Sequence, residues 1–67
     1  MQNINKNFFM SAITEVGLSV KEVSEKLNIS KTALYRKINN KSEFTYSEIK
    51  ILKEIISDEK FKKIFLI

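Results

Sequence analysis

Apolar positions recur along this chain at helical spacing, in short blocks divided by polar residues suited to caps and turns. Phe9, Ile13 and Val16 follow the i, i+4, i+7 pattern and predict a first helix from Phe8 to Val16, capped by Asn7. Gly17 stands where that helix should stop, because glycine readily takes the left-handed conformation, and Leu18 can then fold back on the last turn in a Schellman close. Ser19 and Glu22 have capping-box spacing, so a second helix begins at once, with Val23 and Leu27 on its buried face up to Asn28. Lys21, Glu22, Glu25 and Lys26 fall on its wet face.

Asn28 marks a sharp turn, since asparagine tolerates positive φ better than any residue except glycine, and Ile29 plugs the corner. Ser30 can cap a third helix from Lys31 to Ile38 or Asn39, with Leu34 and Ile38 facing inward and Thr32 and Arg36 opposite. The run Asn39-Asn40-Lys41-Ser42 is turn-prone, Phe44 anchors it to the core, and Thr45 with Glu48 forms a second capping box for a fourth helix reaching Ile56.

Ile49, Leu52 and Ile56 make one apolar row of that helix, but Ile51 and Ile55 widen it beyond the roughly 100° a single core face requires. Two things, singly or together, can cover the extra flank. One is the tail Asp58 to Ile67, where Phe61, Ile64 and Phe65 repeat at helical spacing behind a Ser57 cap; the other is a second copy of the chain. On the second reading Ile51, Ile55, Phe61, Ile64, Phe65 and Ile67 supply a dimer interface. The expected fold is all-α: five helices sharing one core in a single domain spanning 1–67, with no repeat or linker.

Composition narrows the functions. A chain of 67 residues buries only about 60% of its unfolded surface, and with no cysteine and no histidine neither disulfides nor the usual zinc sets can supplement the core. Catalysis has little to work with: Asp58 is the only aspartate, and the single glycine, Gly17, cannot form a phosphate-cradling loop. No enzyme activity, cofactor, metal or small-molecule ligand is expected. With 30% charged residues there is no apolar run long enough to span a bilayer, and the first residues lack the pattern of a secretory signal, so a cytoplasmic protein is expected.

Charge distribution adds the positive signal. The formal net charge is +4, and the window Asn28 to Ser42 holds Lys31, Arg36, Lys37 and Lys41 without an acid. Outside the window eight lysines offset eight acids, so the whole surplus belongs to the third helix and the loop after it. An uncompensated basic segment on the second of two closely spaced, capped helices points to duplex DNA.

The stretch LSVKEVSEKLNISKTALYRKINNK, Leu18 to Lys41, resembles the helix-turn-helix of small phage repressor and Cro-type regulators, the lambda-repressor-like domains. The resemblance rests on Val23, Leu27, Ile29 and Leu34 at core positions, on the small Ser24 where the two helices touch, and on Asn28 at the turn. It implies a compact helical domain, without cofactor or catalysis, that binds operator DNA as a homodimer. Three residues depart from the family's pattern: Val20 stands where a phosphate-binding glutamine is frequent, Asn28 where glycine is usual, and Lys37 at a commonly apolar position. The last makes Ile38 the second anchor of the recognition helix and leaves open a rotation of that helix.

A helix entering the major groove by its N-terminal end offers its first two turns to base edges. Lys31, Thr32, Ala33 and Arg36 are therefore the expected base-reading residues. Arg36 leads because a guanidinium can bridge O6 and N7 of guanine. Ser19, Ser30, Tyr35, Lys37, Asn40, Lys41 and Ser42 are expected on the DNA backbone. The function expected is a sequence-specific transcriptional regulator, a phage or prophage repressor of the Cro type. Two other readings remain at this point: a protein-interaction module, such as an antirepressor that binds another regulator through the apolar tail, and an architectural protein that bends DNA.

Overall fold

Polar caps cut the apolar pattern into five helices. The computed structural model describes residues 3–65 and contains α1 (Lys6–Glu15), α2 (Val20–Lys26), α3 (Lys31–Ile38), α4 (Tyr46–Ile55) and α5 (Asp58–Phe65), with no strand among the described residues. Helix α1 packs on α5, α2 on α3, and α4 on α5. The resulting body measures 28 × 26 × 21 Å.

The caps explain where the helices begin. Ser19 and Thr45 each form a reciprocal capping box, with Glu22 and Glu48 respectively. Ser30 Oγ accepts from the Ala33 amide at 3.0 Å, and Ser57 Oγ accepts from that of Lys60 at 3.3 Å. The first helix starts earlier than its apolar pattern suggests. Asn5, not Asn7, is the cap: its Oδ1 accepts from the Phe8 amide, while its own amide donates to the Ile64 carbonyl at 2.9 Å. Phe8 misled the assignment because it is 40% exposed, whereas Ile4, outside the helix, is buried. Val16 likewise is no core residue but the 44% exposed C-cap; Ala12 joins Phe9 and Ile13 on the buried stripe.

Helices α1 to α3 close in one manner. Leu18, Ile29 and Lys41 donate their amides to the carbonyls of Ile13, Ser24 and Arg36, five residues back, at 2.8, 3.0 and 2.8 Å. The residue before each donor has positive φ: Gly17 at 79°, Asn28 at 59° and Asn40 at 64°. These are three Schellman closes, two of them built on asparagine, the residue after glycine that enters the left-handed region at least cost.

Phe9, Ile13, Val23, Leu34, Ile38, Leu52 and Ile64 are fully buried, one or two from every helix. Phe44 ties the loop before α4 into this core, stacked on Phe9 at 6.2 Å between ring centroids and edge-on to Phe65 at 6.0 Å. The extra apolar flank of α4 is covered from within the chain. Phe61, Ile64 and Phe65 are buried in the monomer core. Ile51 and Ile55 are half-buried against the same core, and Ile67 lies outside the described residues. No helix among the described residues is long and apolar enough to cross a membrane.

Candidate nucleic-acid interface

Helix α3 sits on the core by one face and leaves the other open. At about 100° per residue, Leu34 and Ile38 form an inward row, Thr32 and Arg36 fall opposite it, Tyr35 lies on one flank, and Lys31 is on the row's own side but at the open N-terminal end of the helix. Lys31, Thr32, Tyr35 and Arg36 are all exposed, whereas Ala33 is half-buried at the margin. Leu34 and Ile38 are both fully buried, so Ile38 is the second anchor of α3, and Lys37 is half-buried beside them.

Lys37 is where the structure departs most from expectation. Its ammonium lies 3.2 Å from Glu48 Oε1, donates to the Glu43 carbonyl at 2.8 Å, and stands 5.8 Å over the Phe44 ring. Its side chain is only 13% exposed, and that of Glu48 11%. A lysine placed this way is not available to a DNA backbone, so the phosphate role expected of Lys37 is withdrawn. Asn40 is similarly engaged: its amide accepts from Ile4 N at 2.8 Å and donates to Ile4 O at 3.1 Å, which holds the segment before α1 against the end of α3. Its side chain serves the fold rather than a phosphate.

The remaining cations are free to act outward. Lys31, Arg36 and Lys41 enter none of the ion pairs among the described residues. By contrast Lys60 pairs with Glu15 at 3.0 Å and Lys63 with Glu59 at 3.7 Å. The helix N-termini differ too. Helices α2, α4 and α5 carry acids in their first turn (Glu22, Glu48, and Asp58 with Glu59), but α3, like α1, carries none. An anion approaching α3 meets the positive end of its dipole with no carboxylate in the way. Ser30 still has a hydroxyl proton to donate after capping Ala33, whereas at Ser19 the Glu22 carboxylate occupies the helix start at 3.0 Å from the Ser19 amide. Lys41 and Ser42 are exposed on the loop that follows α3.

Comparison with protein-family models, curated proteins and solved structures finds no match to this chain. Its chemistry is therefore argued from its own geometry. No group of three or more acids, histidines or cysteines among the described residues is placed to hold a metal ion. An open cleft between α4 and α5 is lined by Lys53, Asp58, Phe61 and Lys62, outside the basic segment.

Two residues beside the basic segment were not singled out from the sequence. Tyr46, the first residue of α4 and the most exposed large hydrophobic side chain among the described residues at 79%, follows directly on the Lys41–Thr45 loop. Its position just inside the Thr45 cap, off the Ile49, Leu52, Ile56 row, was the available signal. Glu48 was read only as a cap; that it also faces Lys37 is a tertiary contact that periodicity does not encode.

Proposed function

We propose that this protein is a sequence-specific DNA-binding regulator that inserts α3 into the major groove, in the manner of a Cro-type phage repressor. The observation that carries the reading is the segregation of α3 itself. One face is locked in the core by Leu34 and Ile38; Thr32 and Arg36 lie opposite, Tyr35 on a flank and Lys31 at the exposed N-terminal end, with no ion pair and no acid among them. A groove about 12 Å wide admits one helix, and a helix entering by its N-terminal end brings those four side chains to it. Arg36 and Lys31 bind guanine edges, Thr32 and Ala33 meet thymine methyl groups, and Ser30, Tyr35, Lys41 and Ser42 hold phosphates.

Repression is steric on this reading: two copies occupy successive major grooves of a near-palindrome and exclude polymerase. Half-sites recur about every 34 Å along one face of the duplex. The described residues extend 28 Å along their longest axis, shorter than that repeat. The copies meet through surfaces other than the buried Phe61, Ile64 and Phe65.

The test is fluorescence anisotropy with the duplex that wild type enriches from a randomised pool, against a scrambled duplex, for wild type and Arg36→Ala. Arg36→Ala should weaken binding to the enriched duplex by about 1–3 kcal/mol, roughly 5- to 150-fold, and the scrambled duplex far less. An equal loss on both duplexes would make Arg36 a backbone contact, and no enrichment by wild type would refute base reading.

A further inference from the structure

Lys37 holds the only cation of the basic segment that the proposed interface does not use, and it lies almost out of solvent. Its ammonium meets the Glu48 carboxylate at 3.2 Å, donates to the Glu43 carbonyl at 2.8 Å, and lies 5.8 Å from the centroid of the Phe44 ring. Glu48 is equally committed. The same Oε1 that meets Lys37 accepts the Thr45 amide at 2.8 Å, and the Glu48 amide donates to Thr45 Oγ1 at 3.2 Å. The carboxylate is thus fixed to the first turn of α4 before Lys37 reaches it, and forms a rigid post rather than a swinging partner.

The pair joins the last turn of α3 to the first turn of α4 and pins the intervening loop at the Glu43 carbonyl. Leu34 and Ile38 alone make a narrow seam about which a helix can roll. Lys37, roughly 60° to the side of Leu34 and about 100° from Arg36, is a third point that fixes the roll. The consequence for reading bases is large. A roll of about 20° moves a side-chain tip some 6 Å from the helix axis by roughly 2 Å, well outside the half-ångström range over which a hydrogen bond keeps its strength.

Resting on the reading of α3 as the groove-binding helix, we infer that Lys37 and Glu48 are positioning residues for DNA specificity: touching no DNA, they set the roll of α3 and the placement of Lys41 and Ser42. Tethering α3 at Lys37 keeps Lys31, Thr32 and Arg36 aimed together. The pair thereby converts a helix that would hold any duplex into one that discriminates.

The test is the double variant Lys37→Met/Glu48→Gln. Methionine fills the volume of the lysine stem, and glutamine keeps the capping-box acceptor. The variant should melt within about 4 °C of wild type, since apolar replacement of a desolvated pair is often close to neutral. Its log-log salt slope should match wild type, because no phosphate contact is lost. Its preference for the wild-type-enriched duplex over a scrambled one should fall about tenfold or more. Undiminished preference would overturn the inference, as would a slope shallower by about 0.9 per protomer, which marks a lost phosphate contact.

Should the double variant not fold, wild type supplies the answer through side-chain ammonium NMR. A slowly exchanging Lys37 ammonium whose signal is unmoved by added duplex supports positioning, and a coupling from that nitrogen to phosphorus overturns it. Wild type that binds no duplex at all would sink the DNA-binding reading and this inference together, whereas binding with an indifferent variant sinks only the inference.

Discussion

Replacing Asn40 isolates a clamp that holds the segment before α1 against the end of α3. Its side-chain amide makes both backbone hydrogen bonds of Ile4, at 2.8 and 3.1 Å, across 36 residues of sequence, while its own backbone takes φ of 64° to close α3. Asn40→Gly keeps the backbone conformation and loses the two bonds. At about 1 kcal/mol each, the expected cost is about 2 kcal/mol. Asn40→Ala loses the same bonds and adds about 1 kcal/mol for a Cβ in the left-handed region, for about 3 kcal/mol. A domain of this length has roughly 3–10 kcal/mol of stability in all. At about 4–8 °C per kcal/mol, the glycine variant should melt about 8–16 °C below wild type and the alanine variant lower still. Thermal melts followed by far-UV circular dichroism at one fixed salt concentration give the order. A glycine variant within about 2 °C of wild type would refute the clamp, and an alanine variant melting above the glycine variant would refute the conformational part.

Two more outcomes follow from the same geometry. Gly17→Ala places a Cβ in open space at φ of 79°, so its cost is conformational strain alone, about 1 kcal/mol, and a melting temperature lower by about 4–8 °C in the same assay checks it. Lys41→Ala, on the exposed loop after α3, should weaken binding to enriched and scrambled duplexes alike and make the log-log salt slope shallower by about 0.9 per protomer; an unchanged slope would remove Lys41 from the phosphate contacts.

Most of the fold is legible in the sequence because its boundaries are local. Ser19 with Glu22, Ser30, Thr45 with Glu48, and Ser57 act within three residues of themselves, and Gly17, Asn28 and Asn40 close helices through bonds spanning five. The failures at the first helix have a tertiary cause. Asn5 wins over Asn7 because its amide bonds to Ile64 in α5 and because Ile4 beside it is buried, neither of which the spacing of Phe9 and Ile13 contains. The ambiguity in α4 has the same origin. Ile51 and Ile55 announce that something covers them, but a covering helix of this chain and a second copy leave identical patterns, and it takes the packing of α5 to show that this chain's own helix contributes.

At the candidate site, counting charge and placing charge give different answers. The count assigns four cations to one surface, but one of them, Lys37, is withdrawn into the interior by a carboxylate eleven residues away in sequence. Desolvating an ion pair costs about as much as its attraction returns, so stability alone is a weak reason to keep a lysine and a glutamate where leucine would pack. What the pair does provide is direction. An apolar contact tolerates sliding and rolling at little cost, whereas an ammonium set between a fixed carboxylate and a fixed carbonyl tolerates neither. A small domain with no cysteine to form a disulfide has few other ways to hold one helix at a defined angle. The position expected to be apolar is therefore where a charged contact adds most to the aim of Lys31, Thr32 and Arg36, although it adds little to the stability of the core.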